Sequence, residues 1–241
     1  GRNNLVVFLH QFGSGAFTWH SVMTLLAKHS PGDLVAFDRL AHGLTFASER
    51  LPHQSVDEDD SHVPTINFSD VVQQPNFEPG LIDLITEKKQ SVFLVACGGA
   101  GATLARDYMQ THPPVAGVIF ISPYLLSTDG VPSVLRSVAS AAVGRALTVS
   151  MAKTEITSLI PRRSWESQVP ETVLRAYAKS VDVPGWEDAI IQYLRKPVSS
   201  TDFGCCAQVR CLVVGGDSDH FVATVDEYPN FAASIGAPYV S

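Results

Sequence analysis

The sequence predicts an α/β fold, a mostly parallel sheet with helices on both faces. Three observations carry that prediction. Short continuous apolar runs recur at residues 5–10 (LVVFLH), 34–37 (LVAF) and 92–95 (VFLV), as strands buried on both faces require. Segments with helical periodicity alternate with such runs, which calls for parallel strands joined by right-handed crossovers. At 241 residues, 45% hydrophobic and 17% charged, the chain suffices for one sizeable core and is too short for two ordinary domains with a linker.

Taken in order, residues 5–10 form the first strand and residues 11–16 a turn. Residues 19–28 follow at helical spacing, with Val22, Leu25 and Leu26 on one face. Residues 34–37 form the second strand, ending at Asp38. Residues 48–80 are polar, acidic at Asp57, Glu58, Asp59 and Asp60, and interrupted by Pro52, Pro64, Pro75 and Pro79; a partly disordered loop with a solvated charge run is expected there. Residues 92–95 are the third strand, 102–110 a helix, 115–122 the fourth strand and 211–214 the fifth, with 237–240 opening another. Between the fourth and fifth strands, residues 133–149, 171–180 and 186–194 carry apolar side chains at helical spacing, and Pro170 stands just ahead of the second segment. Residues 124–203 therefore read as a helical cap inserted into a core made of residues 1–123 and 204–241.

The most informative segment is residues 92–105 (VFLVACGGAGATLA), a buried strand running through a glycine-rich turn into a helix. Strand, sharp turn and helix make a nucleophile elbow, where small flanking residues let the backbone lift one side chain above the sheet. Here the small residues stand without a nucleophile between them. Centring the turn on Gly98 or on Gly99 gives two registers, neither with Ser, Cys or Asp at the centre. A third register would make Cys97 the nucleophile, but it places β-branched Val95 where it crowds the turn. The other reading, a phosphate cradle on the helix N-terminus, lacks the last small residue of the dinucleotide fingerprint, an acidic residue about twenty positions on, and the Lys-Ser or Lys-Thr pair of a triphosphate loop.

A formal charge of −7, with basic groups no longer than pairs such as Arg162-Arg163, argues against nucleic acid as a partner. The four cysteines, Cys97, Cys205, Cys206 and Cys211, have no paired C-x-x-C spacing, and adjacent Cys205 and Cys206 make a poor disulfide, so free thiols are expected. No His, Cys and acid cluster has metal-ligand spacing, and no cofactor is implied. No apolar run reaches the length of a membrane span, and the N-terminus opens on a strand rather than a signal peptide. A soluble protein, cytoplasmic or organellar rather than secreted, is the expectation.

With these pieces in order, the chain resembles the α/β-hydrolase superfamily, in particular its capped esterase and epoxide-hydrolase-like members. Leu9-His10-Gln11-Phe12-Gly13-Ser14-Gly15-Ala16-Phe17-Thr18-Trp19 is similar to the family's L-H-G-F-G-S-S-A-F-S-W segment, and Phe37-Asp38-Arg39-Leu40-Ala41-His42-Gly43-Leu44-Thr45 to its F-D-R-P-G-H-G-x-S turn. Val183-Pro184-Gly185-Trp186 resembles a cap-helix start, and Leu212-Val213-Val214-Gly215-Gly216-Asp217-Ser218-Asp219 the strand that ends in G-D-x-D. By that resemblance Asp219 holds the position of the triad acid, and Asp217 is a turn or capping residue. Gly98 or Gly99 holds the degenerate nucleophile position, with Cys97 the alternative. The backbone N–H groups of Phe12 and of Gly99 or Ala100 match the oxyanion hole, which does not depend on side chains. Gln11 departs from the family's usual glycine. His10 and His42 read as structural, and His220 as a turn residue beside Asp219. In the family the catalytic histidine follows one more strand after the acid; no histidine follows His220 in this sequence, and the chain is expected to be clipped at both ends.

The resemblance implies a hydrolase acting on a small hydrophobic ester or lactone. A second reading, from a different class, is a non-catalytic pseudo-hydrolase that binds a small hydrophobic ligand or a protein partner, with the cap enclosing an apolar pocket. A third is a decayed gene product. Phe12, Phe17, Trp19, Trp165 and Trp186 are candidate pocket or cap residues, each equally suited to core packing.

Overall fold

The apolar runs at 5–10 and 92–95 form the centre of a parallel sheet, and the run at 34–37 its half-buried edge strand, in the computed structural model, which describes residues 4–30, 32–44, 77–86, 91–112, 115–123, 131, 133–141, 144–163, 169–195, 202–216 and 226–241. In chain order the elements are β1 (Asn4–Leu9), a 3-10 turn (Ala16–Trp19), α1 (His20–Leu26), β2 (Asp33–Ala36), α2 (Phe77–Thr86), β3 (Ser91–Cys97), α3 (Gly98–Thr111) and β4 (Gly117–Ile121). A run of helices follows: α4 (Ser133–Ser140), α5 (Arg145–Thr154), a π turn (Glu155–Leu159), α6 (Ile160–Arg163), α7 (Glu171–Val181) and α8 (Trp186–Arg195). A 3-10 turn (Gly204–Gln208), β5 (Cys211–Val214), α9 (Glu227–Ser234) and β6 (Tyr239–Val240) complete the described chain. The six strands lie in the order β2-β1-β3-β4-β5-β6, every neighbouring pair parallel.

Period-two alternation sorts the strand side chains onto two faces. Leu5, Val7 and Leu9 of β1, Leu94 and Ala96 of β3, Val118 and Phe120 of β4 and Val213 of β5 share one cluster with α3 residues Leu104 and Tyr108 and α9 residues Tyr228 and Phe231. Phe8 and Val95 point to the opposite face and pack with Trp19. A third cluster joins α4 to α8 with Phe12, Ala41 and Ala100, so these helices rest on the loops that leave the carboxyl ends of β1 and β2 and on the first turn of α3. Close contact between α3 and β1 depends on Gly101, where a Cβ would lie 2.7 Å from the Leu9 carbonyl oxygen.

Four local expectations are corrected. The helix predicted from residue 102 begins at Gly98, because the glycine-rich segment itself forms the first turn of α3. The helix predicted over 133–149 is two helices, divided where Gly144 adopts a left-handed conformation, φ 58°. The face of α1 predicted to be apolar is not buried: Val22, Leu25 and Leu26 are all exposed, while Met23 of α1 and Trp19, one residue before it, pack against the sheet. Of the loop predicted over 48–80, residues 77–80 are helical, with Pro79 in the first turn of α2, where a missing N–H costs nothing; residues 48–76 lie outside the described part.

Candidate functional site

The turn between β3 and α3 is built by a change of backbone hand within two residues. Cys97 is extended, φ −104° and ψ 135°, and Gly98 takes φ 65° before the chain enters the helix. Gly99 lies within the first turn of α3 and Ala100 is fully buried. The first N–H groups of a helix have no intrahelical acceptor, and the Cys97 side chain makes no capping bond, so the amides of this turn point out of the helix end as donors. Cys97 itself is half-buried and packs against the Phe8, Trp19 and Val95 cluster.

Facing this turn is the loop after β1, locked by His10. The Arg39 backbone N–H donates to His10 Nε2 at 3.0 Å, so that nitrogen is an acceptor; Nδ1 then carries the proton and donates to the Gln11 carbonyl at 2.8 Å. Both ring nitrogens are thereby spent on backbone. His42 likewise has Nδ1 on the Leu40 carbonyl at 2.7 Å and lies against His10, Phe12 and Tyr193, ring centroids 4.8–5.5 Å apart. Gln11 has no positive φ, so its replacement of the family's usual glycine carries no left-handed strain.

Asp38 fastens the loops after β1 and β2 to each other. Its carboxylate accepts from Ala16 N at 2.7 Å and from Leu44 N at 2.8 Å. Space for that carboxylate exists because Gly43 has no side chain there. The neighbouring Ala41 has φ 64°, a left-handed conformation at the position where the related motif carries glycine.

The helices above contribute two tyrosines that the sequence reading did not single out. Tyr193 of α8 stacks on Phe12, centroids 5.9 Å apart, with the Arg39 guanidinium also 5.9 Å from its ring. Tyr177 of α7 is buried, meets Phe17 edge-on at 5.0 Å, and its hydroxyl interacts with the side chains of Ser14 and Gln11. Burial raises the Tyr177 phenol above the ordinary tyrosine value; the bonds with Ser14 and Gln11 oppose that shift, and the nearby Cys97 thiol adds to it. Ser14 Oγ in turn donates to Thr18 Oγ1 at 3.2 Å, and Thr18 Oγ1 donates to the Gly15 carbonyl at 2.7 Å. A line of hydroxyls thus runs from α7 into the loop after β1. The available signal was the i, i+4 spacing of Val173, Tyr177 and Val181 and the stripe Trp186, Ile190, Tyr193, Leu194.

The remaining candidates are dispersed. Phe12 and Trp186 are in the cluster under α4 to α8 and Phe17 packs at its edge, whereas Trp19 belongs to the opposite face of the sheet. Trp186 also lines a hollow of about 320 Å³ beside Arg145, Lys153 and Asp182, and a second hollow of about 500 Å³ adjoins it at Arg145 and Lys153. Neither is lined by the glycine turn. Asp217, Asp219, His220 and Trp165 lie outside the described residues. Among the described residues no three His, Cys, Asp or Glu side chains are grouped to hold a metal ion, and no helix is long and apolar enough to cross a membrane.

A parallel sheet with this strand order, a strand–turn–helix at its centre and a helical layer over the strands' carboxyl ends defines the fold of the α/β hydrolases. The chain belongs to the alpha/beta hydrolase family, whose sequence profile matches residues 6–239. Similar solved structures include an esterase from Exiguobacterium antarcticum (14% identity, TM-score 0.64, covering 100% of this chain and 83% of that one). A haloalkane dehalogenase loop variant from Bradyrhizobium elkanii is 18% identical, with TM-score 0.65 and coverage of 98% and 80%; a bromoperoxidase from Bacillus anthracis is 17% identical, with TM-score 0.64 and coverage of 100% and 83%. At these identities the likeness is one of fold. No curated protein matches the sequence.

Proposed function

We propose that this chain uses the hydrolase architecture as a binding module for a small apolar ligand bearing a carbonyl, such as an ester or lactone, without turning it over. The observation that carries this reading is Gly98. It is the left-handed residue of the turn, φ 65°, the place where a strained elbow lifts its nucleophile, and it has no side chain to lift. We assign the degenerate nucleophile position to Gly98 rather than Gly99 on that basis, and the oxyanion-type donors to the backbone N–H groups of Phe12 and Gly99. Residues 124–203 act as the cap, presenting Tyr177, Trp186 and Tyr193, over a core of residues 1–123 and 204–241. Asp219 keeps the position of the acid. A carbonyl oxygen held by main-chain amides needs no side chain at Gly98, whereas acyl transfer does.

Family membership favours a second reading, a hydrolase of small esters or lactones. Without an elbow nucleophile its rate is limited to what donors and binding supply, about 10³–10⁴ over water. The two readings separate in one experiment with p-nitrophenyl butyrate as substrate and γ-butyrolactone as a melting-temperature probe. The binding reading expects no turnover by the parent and a melting temperature raised by the lactone. Turnover by the parent that Cys97→Ala abolishes would make Cys97 the nucleophile and overturn it. Turnover gained only by Gly98→Ser would confirm the assigned position around an otherwise competent site.

A further inference from the structure

The cysteines outside the glycine turn form a second chemically distinct centre, at the junction of the 3-10 turn Gly204–Gln208 with β5. Cys206 is fully buried in the sheet core near Phe203 and Phe231, while Cys205 and Cys211 are half-buried; all three are free thiols. The Cys206 carbonyl closes the turn by accepting from Val209 N at 3.1 Å, and the Cys211 thiol lies 3.8 Å from the same carbonyl oxygen. Chain reversal over Ala207–Arg210 therefore returns Cys211 onto Cys206, and the two side chains interact. Adjacent Cys205 also interacts with Cys206 through its side chain, but neighbouring cysteines close a disulfide poorly.

We propose that Cys206 and Cys211 are a peroxide-sensitive dithiol that closes to an intramolecular disulfide, an oxidative modification site separate from the ligand site. The division of labour follows from burial and from the interaction of the two thiols. Interaction with Cys206 holds the Cys211 thiol below the ordinary value, and the same interaction, with burial, pushes Cys206 up. Cys211 is thus both the more acidic and the more accessible thiol. As thiolate it attacks hydrogen peroxide: an S–O bond forms, the O–O bond breaks, and hydroxide leaves as water after taking a proton. Cys206 then gives up its proton and attacks the Cys211 sulfenic sulfur; the S–S bond forms, the S–O bond breaks, and a second water leaves. In sum two thiols lose two electrons and one peroxide is reduced to two waters. Burial of Cys205 raises its thiol as well, which makes it a poor competitor for the first step.

Arg210 lies between the two cysteines, which gives a direct readout. The reduced full chain is exposed to hydrogen peroxide, capped with N-ethylmaleimide and digested with trypsin. The expected product is the peptide ending at Arg210 joined to the peptide beginning at Cys211, two hydrogens lighter than their sum. That product should survive Cys205→Ser and vanish in Cys211→Ser and in Cys206→Ala, the latter chosen because alanine adds no polar group to the core. Absence of the linked product in the parent, with Cys211 recovered as maleimide adduct or sulfinic acid, would overturn the proposal. So would a link that survives Cys206→Ala and is lost in Cys205→Ser.

Discussion

Replacing Gly43 by alanine tests whether Asp38 is what holds the site's two loops together. A Cβ at Gly43 would overlap the Asp38 carboxylate, and the residue would also have to keep φ 58°. The left-handed conformation costs an L-residue about 1 kcal/mol. Expelling Asp38 surrenders its bonds to Ala16 N and Leu44 N, each about 1.5 kcal/mol at the low end for a charged acceptor, so the substitution should cost about 4 kcal/mol in all. Urea unfolding at constant m-value measures this directly. In an Asp38→Ala background the bonds are already gone, and Gly43→Ala should add only about 1 kcal/mol, a coupling of about 3 kcal/mol. Two additive substitutions, or a single-variant cost below about 1 kcal/mol, would refute the reasoning.

Ala41→Gly should stabilise the protein by about 0.5–1 kcal/mol, net of the glycine's greater freedom when unfolded, because Ala41 holds φ 64°; a lower urea midpoint would contradict this. Gly101→Ala puts a Cβ 2.7 Å from a backbone oxygen that cannot move without shifting β1, so a loss of about 1–3 kcal/mol is expected in thermal or urea unfolding. Tyr177 keeps its proton in the folded chain to a higher pH than the ordinary 10.0 of the unfolded chain. Above that pH the unfolded state binds fewer protons, so stability present below pH 10 falls as pH rises through the folded value. Tyr108, also raised by burial, contributes in the same direction. Urea midpoints at pH 8 and pH 10.5 should therefore diverge less in Tyr177→Phe than in the parent, and an undiminished difference would remove Tyr177 as the cause.

Much of the architecture was written locally. The runs LVVFLH and VFLV specify central strands because a strand covered on both faces must be apolar at every position, and Leu5 and Phe8 do enter opposite clusters. The glycine turn was legible as the junction of a strand with a helix, because small residues directly follow an apolar run. Less legible was the edge of each helix. Residues 133–149 keep an apolar period across Gly144, and nothing in that period announces the left-handed break. The face Val22, Leu25, Leu26 has a core-like spacing and is nevertheless exposed, because spacing says which side chains share a face and not whether anything covers it.

The sequence by itself determined the strand runs, the order of the motifs and the glycines at 98 and 99, because these depend on which side chains are present and how they are spaced. Which glycine takes the left-handed turn and which tyrosines descend over Phe12 and Ser14 were decided by tertiary structure alone. Each depends on segments brought together from distant parts of the chain or on a backbone angle that glycine leaves free, and neither is encoded in local pattern.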